Sequence, residues 1–520
     1  MDSRPARMIF PCRDTEIQMI RNALVLVLWT GLAAGLQGCY SYDCLESATC
    51  AESAKIVDEP SCDPAAEGIL ASCPGIFVSS TTGSDDGAGT RDEPVRTLSM
   101  AINVARTGPR RVYACAETFT EAVILPAAIE VWGGLDCARG WGYVGESPKT
   151  TIAPEPGETP VLVVAGAGRA VVADLRAEAA HASQPSGSAI AMIISPGAAV
   201  DVLRSELIAG DGAPGANGSP GGALPAPAGD PGAPGVAACT AVTVQGGAGS
   251  VNSCRGYDSA GGMGGLGGAA QGGDGTNGTP EPYPNPYGDG LGGTGQTSVN
   301  DCVDGQPGSN GAHGAQGQGA VYTWGISELG WAGAAGQDGA DGLPGQGGGG
   351  GGGSLGGAAF CGSALGGASG GGGGAGGCGG VGGKGGGAGG ASIGMLTLSS
   401  DVTIRATSIR TGRGGDGGNG GLGQHGGLGG PYGNGGNGVN LSQPGCDGGD
   451  GGYGGHGGNG GGGLGGPSVG ILFPYGIAPL HETDIRTGEA GEGGLGGDPN
   501  IPGSAAEDGV RADTLGVPPQ

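Results

Sequence analysis

A chain of 520 residues would ordinarily divide into about three domains of roughly 150 residues, yet 131 of its residues are glycine, 4% are aromatic and 13% are charged. Nineteen glycines lie in residues 1–209 and 112 in the remaining 311, so about a third of the second stretch has no side chain to bury and a conventional apolar core is excluded there. With 48 acidic against 22 basic residues and a net charge of −26, the chain repels phosphate backbones, and nucleic-acid binding is not expected.

The N-terminus carries Arg4, Arg7, Arg13 and Arg21, then the apolar run Ala23–Leu36 of 14 residues. A basic stretch before a short apolar run reads as a secretion signal, since a membrane-spanning helix needs about 20 residues; an uncleaved apolar helix is the competing reading. Met19 offers an alternative start, with Arg21 as its charged flank. The run ends in Leu36-Gln37-Gly38-Cys39, which resembles the lipobox of bacterial lipoproteins, with Gln37 where that family carries a small residue. The resemblance implies cleavage before Cys39, lipidation of Cys39 and attachment to a membrane of the cell envelope. Of the 14 cysteines, Cys12 would leave with the signal and Cys39 would be acylated, so an even number remains for pairing in an oxidising compartment. The five histidines, His181, His313, His425, His456 and His481, stand far apart in sequence without zinc-ligand spacing, and no metal or other cofactor is expected from them.

Residues 39–74, with Cys44, Cys50, Cys62 and Cys73, read as a cysteine-containing tether that two bridges could staple. Beyond Ile76 come short β-branched runs bounded by turn residues, at Val112–Ala116, Ile129–Gly133, Val161–Val164, Val171–Leu175 and Ile190–Ile194, which predict strands. One helix interrupts them over Thr97–Ala105, where Leu98, Ala101, Ile102 and Ala105 share a face; Thr97 caps its start and Gly108 follows its end. Gly83, Asp85, Gly89, Thr90, Pro94, Thr97, Ala101 and Ile102, with the following Glu117–Glu121 and Val131–Asp136, resemble the opening of right-handed parallel β-helix proteins of the pectin-lyase-like class. The resemblance implies a stack of parallel coils closed at one end by the amphipathic helix, which an unpaired apolar end requires for solubility. Cys115 and Cys137 are 22 residues apart, within the roughly 20–45 residues of a solenoid repeat. They could bridge adjacent coils, or each could pair elsewhere.

Three later segments align: Ala189–Gly210, Ser392–Gly412 and Ser468–Gly488. Each reads as strand, turn and second strand ending in glycine. The leading and closing apolar residues are 16 apart in the last two (Ile393 to Ile409, Val469 to Ile485) and 17 in the first (Ile190 to Leu207). Such units cannot bury both faces alone and should stack, with the glycine-rich runs looped outward from one corner; Ala320–Trp324 reads as a further, degenerate coil. The runs from Gly412 and Gly448 repeat Gly-Gly-X, and others repeat Gly-X-Y, as at Gly212, Gly215, Gly218 and Gly221. A period of three is that of the extended polyproline II helix. The runs resemble collagen, but proline is sparse, so a triple helix is not expected. Two readings stay open: disorder, because ordering glycine costs the most backbone entropy, or glycine helices packed backbone to backbone, which resembles the polyglycine bundles of some phage-tip and antifreeze proteins. The second is favoured, since fixed loop ends and Cys239, Cys254, Cys302, Cys361, Cys378 and Cys446 would tie the excursions down.

The expected fold is all-β: a parallel β-solenoid with one N-terminal capping helix and long glycine-rich excursions, read as a polyglycine-II bundle. The chain divides into a signal peptide (1–38), a tether (39–74), a capped β-helix (75–210), a glycine-rich region (211–390), a coil (391–412), a Gly-Gly-X region (413–466), a second coil (467–488) and a flexible tail (489–520). Catalysis in β-helix enzymes needs clustered carboxylates and a basic residue; Asp85 and Asp86, or Asp401 with Arg405 and Arg410, form no such constellation, and a solvated ion pair accounts for Asp401 and Arg405. Residues 414–419 match part of the calcium nonapeptide of RTX proteins, with Asn419 at a ligand position, which leaves calcium at Asp416, Asp447 and Asp450 as a minor expectation. The leading expectation is an exported, lipid-anchored, non-enzymatic cell-surface protein with a structural, adhesive or coat role. A secreted carbohydrate-binding or polysaccharide-degrading β-helix and a calcium-dependent adhesin are the alternatives. The implied partners are a membrane, through the anchor, and surface polysaccharide or other surface components.

Overall fold

The structure is a computed structural model that describes residues 62–517 except 70, 146, 322, 323 and 475–479. The chain divides after Glu59, and every described residue belongs to the second part, Pro60–Gln520. Cys12, Cys39, Cys44 and Cys50, with the signal and most of the tether, therefore lie outside the described residues.

Short apolar runs become strands because each can hide its side chains only against a neighbour of the same kind. Three parallel sheets result. Sheet A orders Ile76–Val78, Arg111–Cys115, Glu130–Asp136, Gly168–Ala173, Ala198–Leu203, Val402–Arg405 and Leu480–His481, with Gly142–Tyr143 antiparallel beside Glu130–Asp136. Sheet B orders Thr118–Phe119, Thr150–Ile152, Leu175–Ala179, Glu206–Ala209, Ser408–Thr411 and Asp484–Arg486. Sheet C orders Val123–Pro126, Leu162–Ala165, Ala189–Ile194, Ser392–Thr397, Ser468–Phe473 and Arg511–Gly516. From Leu162 onward the chain visits the sheets in rotation, C then A then B, four times before ending in sheet C. Every long glycine-rich stretch leaves after a strand of sheet B and re-enters in sheet C. The topology is compatible with a parallel β-solenoid.

The register follows the repeat seen in the sequence. Ile393 faces Val469 and Ile409 faces Ile485, while Ile190 faces Ile393 and Leu207 faces Ile409. Val200 pairs with Val402, so the extra residue of the first unit is taken up between Ile190 and Val200, at the corner joining sheets C and A. At the next corner, from A to B, the successive turns place Asp174, Arg204, Ala406 and Glu482 at φ of 57°, 46°, 47° and 50°. A non-glycine residue costs about 1–2 kcal/mol there, and buried hydroxyls just after it hold the turn. Ser205 Oγ donates to Leu203 O at 2.8 Å and Thr407 Oγ1 to Arg405 O at 2.9 Å, so both buried hydroxyls are satisfied.

The helix forms at Leu98–Thr107 with Thr97 as its N-cap, whose side chain accepts from Met100 N, and Gly108 at its end. Its buried face is Leu98, Ala101, Ile102 and Ala105, packed with Ile76, Val78, Val112 and Leu125 in the main apolar core. Asp85 accepts from Arg96 N and Thr97 N, and Glu121 from Leu98 N and Ser99 N, so two carboxylates satisfy free amides where the helix dipole favours negative charge.

Four expectations are corrected. The run Val171–Leu175 is two strands, because left-handed Asp174 turns the chain from sheet A into sheet B. Among the described residues near 320–324, Trp324–Ser327 joins none of the parallel sheets but pairs antiparallel with Gly330–Gly333 as a separate hairpin, and Trp331 and Ile326 pack on an apolar cluster of sheet C. The described part of the tail, 489–517, is not simply flexible: Arg511–Gly516 pairs in parallel with Ser468–Phe473, supplying the next strand of sheet C. Asp401 pairs with Arg169, which also holds Asp201 at 2.7 Å, rather than with Arg405; neighbouring strands bring these three side chains together.

Candidate functional site

The glycine-rich segments are ordered by backbone hydrogen bonds that recur at every third residue. Gly374 N, Gly377 N, Gly380 N and Gly383 N donate to the carbonyls of Gly449, Gly452, Gly455 and Gly458, at 3.0, 3.0, 2.9 and 2.9 Å. On another side Gly418 N, Gly421 N, Gln424 N and Gly427 N donate to Gly387, Lys384, Val381 and Cys378, all at 2.8 Å. On a third, Gly339 N, Gly342 N and Gly345 N donate to Gly383, Gly380 and Gly377. The segment 366–391 is thus bonded on several sides at once and is largely buried. Only glycine fits such spacing: a Cβ on Gly383 would meet the Gly421 carbonyl oxygen well inside the 3.0 Å that real Cβ contacts respect. Disulfides Cys239–Cys361, Cys254–Cys378 and Cys302–Cys446 join these segments.

At the outer face a glycine segment has amides with no further segment to receive them, and an unpaired amide is costly. Side chains at the X positions of the triplets take that role. Asp304, Asn310, His313 and Gln316 accept from the amides of Asp447, Tyr453, His456 and Asn459 at 2.9, 2.9, 2.9 and 2.8 Å. Asp447, Asp450, His456 and Asn459 in turn accept from Gly435 N, Tyr432 N, Gly426 N and Gly423 N at 2.7, 2.9, 3.0 and 2.8 Å. One segment caps the next, which caps a third. This explains why the X positions favour Asp, Asn, His and Gln, whose acceptors sit close to the backbone.

One transverse row of this face consists of imidazoles. His313 and His456 stack with ring centroids 4.9 Å apart and 17° between planes, and His425 meets His456 edge-on at 4.9 Å. They line an open cavity of about 530 Å³ with Gln316, Leu422, Asn459, Asp498 and Ile501. Nδ1 of His313 and of His456 each accepts from an amide, which places the ring proton on Nε2. The His456 imidazole is held below its ordinary value, first by partial burial and then by His313 and His425. Sequence reading missed this row because the residues are separated by more than a hundred positions in part and carry no ligand spacing. Among the described residues no group of three or more His, Cys, Asp or Glu side chains is arranged to hold a metal ion.

Other named residues have structural partners. Cys115 and Cys137 form a disulfide with Cα atoms 5.6 Å apart, and Cys62 pairs with Cys73. Asp416 accepts from Glu492 N at 2.9 Å and pairs with Arg413 at 2.7 Å; with Asp447 and Asp450 it belongs to the capping pattern. Cys39 lies outside the described residues, and no described helix is long and apolar enough to cross a membrane. No family model, curated protein or solved structure matches the chain.

Proposed function

We propose that the chain is an exported, lipid-anchored surface protein, in which a capped parallel β-solenoid carries a polyglycine-II bundle as a structural or adhesive layer. The observation that carries the reading is the three-residue hydrogen-bond period linking segments that all leave the sheets at one corner. A bundle of this kind needs no apolar core: its order comes from backbone pairing and close approach of Cα–H groups to carbonyls. Its X positions are free to be polar, which suits a surface bathed in water or facing a polysaccharide. The anchor rests on the stretch ending at Cys39, with the residues before Cys62 as tether; the envelope, and the outer membrane or cell surface in particular, is the location this implies.

Two measurements test the proposal. Metabolic labelling with palmitate should mark the wild type and not Cys39→Ala, and the variant should leave the membrane fraction; membrane retention without label would defeat the anchor. Limited proteolysis under oxidising conditions should spare residues 211–390 and 413–466, whereas cleavage throughout them in the oxidised protein would defeat the bundle. Robust turnover of an acidic or neutral polysaccharide would replace a structural role by an enzymatic one.

A further inference from the structure

We propose that the His313–His456–His425 row is an acid-labile seam, at which protonation loosens three adjacent glycine segments from one another. His313 Nδ1 accepts from His456 N at 2.9 Å, and His456 Nδ1 accepts from Gly426 N at 3.0 Å. A neutral imidazole can accept through one nitrogen, whereas an imidazolium carries protons on both and can only donate. Protonation therefore turns each cap into two N–H groups facing one another and leaves the amides of His456 and Gly426 without a partner. It also sets positive charges on rings whose centroids are 4.9 Å apart. The titratable groups lining the cavity are the three histidines and Asp498; the segment behind contributes glycine backbone, with Gly380 N donating to Gly455 O at 2.9 Å. Asp498 is the one carboxylate lining the cavity beside the three imidazoles, so most of their positive charge would go unpaired there.

The neighbouring rows show that the histidine is not needed for capping. Asn310 caps Tyr453 N at 2.9 Å and Asn459 caps Gly423 N at 2.8 Å, one triplet away on either side. These caps do not change charge, whereas imidazole does so between pH 8 and pH 5. The pattern thus places one row that responds to mild acid among rows that do not.

The test uses the full chain under oxidising conditions and compares amide hydrogen-exchange protection, corrected for intrinsic exchange, between pH 8 and pH 5. Gly426 and His456 should lose protection on the order of fivefold, the worth of a typical net hydrogen bond, while Gly423 and Tyr453 hold theirs. In the double variant His313→Asn/His456→Asn all four amides should stay protected at pH 5. Unchanged protection of Gly426 and position 456 at pH 5 in the wild type would overturn the proposal, as would an equal loss in the double variant. A second measurement needs no variant: imidazole nitrogen shifts at pH 8 should report the Nε2–H tautomer for His313 and His456, and the Nδ1–H tautomer for both would refute the stated caps.

Discussion

Replacing Gly383 with alanine isolates the physical basis of the glycine-rich segments. Gly383 is buried; its amide donates to Gly458 O at 2.9 Å and its carbonyl accepts from Gly339 N at 2.8 Å. A methyl group there would overlap the Gly421 carbonyl and lie 2.6 Å from its carbon. Relief requires one segment to move, and the bonds on the other sides resist. Overpacking of this kind costs about 1–3 kcal/mol, and weakening two hydrogen bonds adds roughly 1 kcal/mol each. Against this, alanine restricts the unfolded chain and returns about 0.4–1 kcal/mol. The expected net loss is therefore about 2–5 kcal/mol. The control is Leu422→Ala, at an X position 59% exposed, where a change within about 0.5 kcal/mol is expected. Urea unfolding followed by protease sensitivity of residues 366–391 reads both variants. Equal midpoints for Gly383→Ala and wild type would refute the claim that glycine is required by close backbone approach.

Three further outcomes follow from named contacts. Cys302→Ser/Cys446→Ser opens a link spanning 144 residues, worth about 5 kcal/mol in the chain-entropy model; its urea midpoint should fall below that of the oxidised wild type and converge with it once both are reduced. Arg204→Ala removes the guanidinium that pairs with Asp174, whose side chain is 1% exposed, and with Asp63, at 2.8 and 2.9 Å. An uncompensated buried carboxylate should cost about 3 kcal/mol, and adding Asp174→Asn should recover part of the loss in the same unfolding assay. Tyr143 is pushed up to about 12 by burial first and then by Asp174, which accepts its hydroxyl at 2.9 Å. The folded chain keeps a proton that the unfolded chain releases near 10, so this stabilisation is complete below pH 10 and is lost as pH rises toward 12. Thermal unfolding across that range should show a smaller decline for Tyr143→Phe.

Much of the β structure was legible because its causes are local or periodic. Thr97, the apolar face Leu98–Ala105 and Gly108 mark the helix by capping and by a 3.6-residue period. The alignment of Ile190, Ile393 and Val469 marks the stacking register, since shifting a strand by one residue would turn its apolar side chains to the wrong face. The period of three in the glycine runs likewise announced the hydrogen-bond spacing before any partner was known.

Tertiary structure alone decided which glycine segments lie side by side. One Gly-Gly-X triplet offers the same backbone groups as any other, so nothing local distinguishes pairing of 380 with 455 from pairing with a neighbouring triplet. The choice is made by where the sheets release and recover the chain and by the links Cys239–Cys361, Cys254–Cys378 and Cys302–Cys446, whose connectivity spacing cannot supply. The imidazole row exists for the same reason. His313, His425 and His456 are unrelated along the sequence, and meet because three segments of a common period are held in one register.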